Sequence, residues 1–265
     1  MSRLSIPAAL RLLAEREPNA VAVRDADRSL SRVELLIEAE RWAAVLEARG
    51  VGFGVRVGIR LRNSAAYVAA TVGVWMLGAI PVPLSGRLAH HEQRALVELG
   101  ELRVVVGADE EEFVGVVGLP DDSDLPAERW SGPDLVSPCW KIVPSGGSTG
   151  RPKLVIAVAD ATVDPDAPVA PFVPQRAVHL VVAPLSHSAP FTYAFRGLMT
   201  GHTLVLLPRF DPQAVLAAVE QHRVTWMMLV PTMMNRLLQM PESVRTVADL
   251  TSLDAILHIG APCAC

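Results

Sequence analysis

Cysteine is scarce in this sequence of 265 residues, which contains only Cys139, Cys263 and Cys265. Three cysteines do not make a disulfide framework, and the spacing Cys263-Ala264-Cys265 fits neither a C-x-x-C redox pair nor a metal knuckle. We therefore expect reduced thiols, a cytoplasmic location and no metal site built from cysteine.

An excess of charge of either sign is also absent. The net charge is −4 and the isoelectric point is near 6.0, so the sequence offers no basic surface for nucleic acid or for an anionic membrane. Hydrophobic residues make up 51% of the chain and charged residues 20%, which is typical of a globular protein rather than a disordered one. The length is sufficient for one large domain or two small domains.

One long stretch lacks charge, from Ala65 to Leu84. A membrane-spanning helix needs about 20 residues, but Gly78 and Pro81 interrupt this stretch, and proline cannot continue a helix. We predict a buried helix over residues 64–78 followed by a short strand, and no membrane span. The N-terminus lacks the continuous apolar core of a signal peptide and is predicted to form an amphipathic helix.

Helix and strand patterns alternate along the chain. The capping box Ser31-Arg32-Val33-Glu34 predicts a helix that ends at Gly50. Apolar residues alternate with arginines over residues 55–62, which predicts a strand with its arginine face in solvent. Asp211 followed by Pro212 is a strong helix start. Further helices are predicted at 89–99, 190–200 and 231–240, and further strands at 102–107, 177–184, 202–208, 224–230 and 253–260.

This alternation predicts an α/β fold of layered, mostly parallel sheets flanked by helices. An acidic, turn-rich connector covers residues 109–134. We expect a first α/β subdomain over residues 1–170 and a second over residues 171–265.

The segment with the most chemical content is KIVPSGGSTGRPKLVIAV, residues 141–158, whose glycine-rich loop is flanked by Lys141 and Lys153, the only two lysines of the chain. A Walker loop would place Gly-Lys-Ser/Thr at the start of a helix, whereas Lys153 follows a proline and precedes a strand pattern. A nucleophile elbow at Ser148 also needs a helix directly after the serine. A triad of Ser148, Asp254 and His258 can still be drawn, so a serine hydrolase stays open as a less favoured alternative.

A third hypothesis is a loop that grips phosphate. Glycines let successive backbone amides converge on an anion, and hydroxyls and a lysine add further donors. Each charge-assisted hydrogen bond contributes roughly 1.5–3 kcal/mol, so several of them can hold a polyphosphate. An ordinary Gly/Ser hairpin loop without a ligand is the alternative.

Four segments together resemble one family, the adenylate-forming synthetases, which include acyl-CoA synthetases, luciferases and peptide-synthetase adenylation domains. The segments are PSGGSTGRPKLV (144–155), APLSHSAPF (183–191), VPTMMNRLL (230–238) and HIGAPCA (258–264). Residues 40–88 resemble the N-terminal region of the same family. The resemblance covers the chain from about Ser29 to Ala264 and keeps the family order.

The resemblance implies ATP-dependent activation of a carboxylic acid to an acyl-adenylate, with release of pyrophosphate and then transfer to a thiol. The implied cofactors and partners are ATP, Mg²⁺, the carboxylic acid, and coenzyme A or the phosphopantetheine of a carrier protein; a homodimer is compatible with this class. His187 would line the carboxylate pocket, and Lys153 would act in catalysis as well as in phosphate binding. The residues implied to hold the β- and γ-phosphates are Ser145, Gly146, Gly147, Ser148, Thr149, Gly150 and Lys153. Those implied to border the adenine and acyl pockets are Gly260, Ala261 and Pro262.

The sequence departs from the family pattern because it lacks the Tyr-Gly-x-Thr-Glu segment with the glutamate that holds magnesium, and the C-terminal domain with its catalytic lysine. We expect an N-terminal portion of a synthetase that is inactive alone, with a degenerate nucleotide- or acyl-binding homologue as the alternative. Leucine at position 154, where many members have glycine, resembles ligases that act on bulky polycyclic or aromatic acids.

Overall fold

The computed structural model describes residues 3–120, 125–145 and 152–261. The helices in these ranges are α1 (Ile6–Arg16), α2 (Arg32–Ala48), α3 (Ala65–Met76), α4 (His90–Leu99), α5 (Ser188–Met199), α6 (Pro212–His222), α7 (Pro231–Leu238) and α8 (Glu242–Arg245). The strands are β1 (Leu4–Ser5), β2 (Val21–Arg24), β3 (Ser29–Ser31), β4 (Arg56–Ile59), β5 (Ile80–Pro83), β6 (Val104–Val106), β7 (Val117–Leu119), β8 (Ile142–Ser145), β9 (Lys153–Ile156), β10 (Thr162–Val163), β11 (Val178–Val181), β12 (Thr203–Leu206), β13 (Trp226–Leu229) and β14 (Ala255–His258).

Two parallel sheets carry the fold, as the alternating pattern predicted. The first sheet has the order β5-β4-β6-β7, and all its strands run parallel. The second has the order β14-β13-β11-β12-β2-β3, and only the β2–β3 pair is antiparallel. Two further pairs, β8–β9 and β1–β10, are antiparallel and stand apart from these sheets. The layered α/β architecture is therefore confirmed.

The second sheet contains strands from both ends of the chain. Strand β2 pairs with β12, placing Val23 opposite Leu204. The boundary near residue 170 stays a prediction. Strand β2 precedes that boundary but pairs with β12, which follows it, and β3 joins the same sheet through β2.

Local sequence signals set the helix ends. Ser31 accepts a hydrogen bond from the Glu34 amide while Glu34 accepts one from the Ser31 amide, so the predicted capping box is present. Asp211 caps α6 through the Ala214 amide, as predicted.

Helix α3 is buried almost all round, which explains the missing charge between Ala65 and Leu84. Within the described residues, no helix has the length and apolar content to cross a membrane.

Strand β4 differs from its prediction. It lies between β5 and β6, with Val57 and Ile59 fully buried, so it is an interior strand rather than a half-exposed one. A Cβ atom at Gly58 would lie 2.9 Å from the Leu84 side chain. The prediction of a solvated arginine face was wrong for Arg60, since its largely buried guanidinium donates to the Gly107 carbonyl and to the Gln93 and Glu112 side chains.

Candidate functional site

The two ends of the glycine-rich loop are held together by strand pairing. Strands β8 and β9 form an antiparallel hairpin in which Ser145 lies opposite Lys153. Gly146, Gly147, Ser148, Thr149 and Gly150 lie outside the described residues, as does Pro262 at the end of the chain. Because a strand follows the loop, the structure contradicts both hypotheses that require a helix there, the Walker loop and the nucleophile elbow.

The hairpin leaves Lys153 exposed. Leu154 and Ile142 pack in the apolar cluster that contains Val82, which is in β5, and Leu84, which directly follows β5. The hairpin therefore lies against the edge of the first sheet. The Lys153 side chain is exposed and has no hydrogen bond or ion pair within the described part of the chain. Its ammonium is therefore free to bind an anion at the mouth of the loop.

His187 begins helix α5 at the carboxyl end of β11. Its amide donates to the Pro184 carbonyl at 3.1 Å, and its carbonyl accepts from the Phe191 amide at 3.1 Å. The imidazole makes no capping hydrogen bond. Ligands in open α/β sheets bind outside the carboxyl ends of the strands, so His187 stands where a ligand is expected.

A cleft of about 780 Å³ joins the carboxyl ends of the two sheets. The residues that line it follow β4, β5, β6, β11 and β12, and they include Arg60, Arg62, Asn63, Arg87, Glu112, His187 and Arg209.

One carboxylate of this cleft is already neutralised. The Arg60 guanidinium bonds both oxygens of Glu112, with 2.7 Å between Nη2 and Oε2. Hydrogen bonding to Arg60 is the main cause that lowers the pKa of the Glu112 carboxyl. Arg62, Arg87 and Arg209 are exposed and make no ion pair within residues 3–120, 125–145 and 152–261. The cleft therefore carries an excess of positive charge and suits an anion.

Asn63 lines the cleft but was not among the site residues that the sequence predicted. Its neighbour Ser64 caps α3. The buried Asn63 amide donates to the Ala183 carbonyl at 3.0 Å and the Leu207 carbonyl at 3.1 Å, and its oxygen accepts from the Leu185 amide at 2.9 Å. It thus ties the end of β4 to the ends of β11 and β12 and forms the floor of the cleft.

Gly260 and Ala261 follow β14, which is two strands away from β11 in the sheet. Gly260 has φ +96°, and a Cβ atom there would lie 3.8 Å from the Val230 side chain. His187 follows β11 and Gly260 follows β14, so both residues lie beyond the carboxyl edge of the same parallel sheet.

An apolar cluster lies between α5 and the β13–β14 edge. Tyr193 meets Trp226 edge-on, with 5.6 Å between ring centroids, and Met228 and Leu257 belong to the same cluster. The Trp226 Nε1 atom is buried without a hydrogen-bond partner in the described residues. Sequence reasoning did not find this cluster, since its members come from three separate elements.

The hydrolase triad fails on geometry. Asp254 directly precedes β14 and His258 ends it. A strand rises about 3.3 Å per residue, so four residues separate their Cα atoms by roughly 13 Å. An aspartate and a histidine at that distance cannot share the hydrogen bond that a triad needs.

Two parallel sheets with a cleft at the carboxyl ends of their strands define a ligand-binding class of α/β protein. The chain belongs to the AMP-binding enzyme family, whose model matches residues 10–264. This match confirms the family to which the sequence motifs pointed.

Two curated relatives place the chain more closely. It is 33% identical over 267 residues to a feruloyl-CoA synthase from Amycolatopsis sp., covering 94% of this chain and 53% of the relative. It is 27% identical to the long-chain-fatty-acid–CoA ligase FadD13 of Mycobacterium tuberculosis, covering 84% of this chain and 48% of the relative. The chain therefore spans about half the length of these relatives.

Solved structures agree with this placement. The N-terminal domain of FACL13 from Mycobacterium tuberculosis superposes with a TM-score of 0.80 at 26% identity, covering 98% of this chain and 71% of that chain. The O-succinylbenzoate coenzyme A synthetase of Bacillus subtilis in complex with AMP has a TM-score of 0.82 at 24% identity, covering 98% of this chain and 69% of that chain, which is a likeness of fold.

Proposed function

We propose that this chain forms the ATP- and acid-binding part of an AMP-forming acid–thiol ligase. In the first step, a carboxylate oxygen attacks the α-phosphorus of ATP, and the bond to the bridging oxygen breaks to release pyrophosphate. In the second step, the sulfur of a thiol attacks the acyl carbon and loses its proton to solvent, and AMP leaves with the electron pair of the anhydride bond. The observation that carries the proposal is the β8–β9 hairpin, which sets Ser145 opposite Lys153 across the glycine-rich loop.

The loop would hold the β- and γ-phosphates. Ser145 and Lys153 bracket the amides and hydroxyls of residues 146–150, and the exposed Lys153 ammonium has no competing carboxylate in the described part of the chain. Lysine acts on phosphate as a point charge, so it would stabilise the negative charge that builds up on the departing pyrophosphate. We propose that Mg²⁺ arrives bound to ATP.

Replacing Lys153 with alanine tests this role directly. A charge-assisted hydrogen bond contributes roughly 1.5–3 kcal/mol, so the dissociation constant for ATP should rise about 10- to 100-fold. Titration calorimetry with ATP measures this change. The matched control is Arg94→Ala, which removes an exposed cation that pairs with Glu98 within α4. Equal affinity in Lys153→Ala and wild type would mean that the hairpin is a plain loop.

The acid pocket would lie between His187 and the apolar cluster of Tyr193, Trp226, Met228 and Leu257. Aromatic side chains there favour a flat, bulky acid, and the relatives named feruloyl-CoA synthase and 2-succinylbenzoate–CoA ligase support this choice. We propose bulky aromatic or polycyclic acids as the substrate class, with Gly260 and Ala261 allowing close approach at the sheet edge.

A panel of acids tests the substrate class through ligand-dependent thermal stabilisation. A ligand at 100 times its dissociation constant stabilises the folded state by about 2.7 kcal/mol, so the preferred aromatic acid should raise the melting temperature by several degrees in the presence of ATP. Octanoate and acetate serve as controls of the same charge. A larger shift with short fatty acids than with every bulky acid would overturn the choice.

The thiol acceptor would approach through the arginine-lined cleft. Coenzyme A carries a phosphorylated nucleotide, and Arg62, Arg87 and Arg209 supply guanidinium groups that match phosphate geometry without ion-pair partners among the described residues. A carrier-protein phosphopantetheine has a single phosphodiester and needs fewer cations. We therefore propose coenzyme A as the acceptor.

We also propose that these 265 residues alone bind substrates without completing the reaction, which carboxylate-dependent exchange of pyrophosphate into ATP would contradict.

A further inference from the structure

Lys141 is a buried lysine without a carboxylate partner. It lies directly before β8, and only 5% of the residue is exposed. Its ammonium Nζ contacts the Ser188 carbonyl at 3.0 Å, the Ser188 hydroxyl at 3.1 Å and the Thr192 hydroxyl at 2.5 Å. No Asp or Glu among residues 3–120, 125–145 and 152–261 pairs with it. Burying such a charge is costly, and the first turn of a helix disfavours a cation.

The contacts of Lys141 join two parts of the candidate site. Its backbone carbonyl accepts the Ala157 amide at 3.2 Å, which fixes it to the hairpin that closes the phosphate loop. Its ammonium lies 4.7 Å from the centre of the Trp140 ring and 5.5 Å from that of Phe191. The side chain therefore runs from the hairpin into the first turn of α5, immediately after His187.

We propose that Lys141 is a positioning residue that fixes the His187 turn against the phosphate-loop hairpin. This proposal rests on the proposed function, since it assigns Lys141 the task of setting the distance between the phosphate site and the acid site. Lys141 lines neither site and touches no substrate in this assignment.

The need of Ser188 and Thr192 for hydrogen-bond partners does not explain why position 141 is a lysine. The Thr192 hydroxyl already donates to the Ser188 carbonyl at 2.7 Å, so removing the ammonium leaves no buried acceptor unpaired there. A methionine at position 141 would fill a similar volume and make favourable sulfur contacts with Trp140 and Phe191. Replacing a buried charge by an apolar side chain of similar volume is often neutral or stabilising. We therefore expect Lys141 to fix the position of the His187 turn rather than to raise the stability of the fold.

The titration of Lys141 provides an independent signature. The pKa of its ammonium is lowered from 10.5 to about 8, mainly by burial and also by repulsion from Arg196 on α5, while Cys139, two residues earlier in the chain, opposes these effects. Since the unfolded chain binds the proton more tightly, the Lys141 contribution to stability rises as the pH increases from about 8 toward 10. Burial raises the pKa of Tyr67, so Tyr67 lowers stability only above the ordinary tyrosine pKa, about 10.

The test compares wild type with Lys141→Met, Lys141→Arg and the control Arg94→Met. In ligand-free protein at pH 7, hydrogen exchange of the Phe191 and Thr192 amides should be at least about tenfold faster in Lys141→Met, while exchange in α6 stays unchanged. ATP affinity should fall about tenfold in Lys141→Met although its unfolding midpoint in urea stays equal or rises. Lys141→Arg keeps a cation and should recover most of the ATP affinity. Between pH 7.5 and 9.5, the unfolding midpoint should rise in wild type and stay flat in Lys141→Met.

Two results would overturn the assignment. Unchanged amide exchange in the first turn of α5 would show that Lys141 positions nothing, whether or not ATP binds. Faster exchange with unchanged ATP affinity would make the contact structural only. If wild type binds no ATP, the proposed function fails by itself, and the exchange comparison still decides whether Lys141 fixes the His187 turn.

Discussion

Gly73→Val is expected to lower the free energy of unfolding by about 3 kcal/mol or more, because α2 and α3 cross in contact at this residue. A Cβ atom at Gly73 would lie 2.8 Å from the Ala39 carbonyl oxygen, 2.9 Å from the Trp42 Cβ and 3.0 Å from the Ala43 nitrogen. These are backbone and Cβ atoms, which no change of rotamer can move aside. Valine adds two further methyl groups, so the helices must separate.

The measurement is urea and thermal unfolding followed by circular dichroism. For a chain of this length, each 1 kcal/mol shifts the melting temperature by about 2–4 °C, so a fall of about 10 °C is expected. Gly52→Ala is the matched control, since nothing lies within 4 Å of its added Cβ, and its effect should stay within about 0.5 kcal/mol. A Gly73→Val protein as stable as Gly52→Ala would mean that α2 and α3 are not closely packed.

The close packing of α2 against α3 also affects the cleft of the candidate site. Helix α3 begins at Ala65, two residues after Asn63, and the bonds of Asn63 hold the floor of the cleft. Displacing α3 therefore moves the residue that ties the two sheets together. Gly73→Val should weaken ATP binding as well as stability, whereas a change confined to the loop would affect binding alone.

Structural features that depend on residues close together in the sequence were predicted correctly. The capping box at Ser31 and the Asp211-Pro212 start each depend on contacts within one helical turn, and both are present. The hairpin nature of residues 142–156 followed from the strand pattern after Pro152. The family, and with it the layered α/β fold, followed from four motifs in order.

Features that depend on distant partners were not predicted. Strand β2 pairs with β12 across most of the chain, and β7 lies inside a connector for which the sequence predicted turns but no strand. The alternation of β4 indicated an exposed face, but the side chains of Leu84 and Leu102 lie over Gly58 on that face. Lys141 was noted as a flank of the loop, yet its burial depends on Ser188 and Thr192, which the local sequence does not specify.

Asn63→Asp is expected to have a still larger effect, about 4 kcal/mol or more at pH 8. The substitution keeps the shape of the side chain but replaces its amide by an oxygen that faces the Ala183 and Leu207 carbonyls, so two hydrogen bonds are lost and a buried charge meets two acceptors. Only the bond from the Leu185 amide can remain.

The pH dependence of stability in Asn63→Asp separates the effect of the buried charge from the effect of the lost hydrogen bonds. Burial against two carbonyls raises the folded-state pKa of an aspartate at this position above its unfolded value, so its stability is retained below the unfolded pKa and lost as the pH rises through the folded pKa. The stability difference from wild type should therefore shrink when urea unfolding is measured at pH 5 instead of pH 8. Asn63→Leu, which cannot titrate, should show the same deficit at both values. An Asn63→Asp protein with wild-type stability at pH 8 would mean that the two sheets are not held together through this side chain.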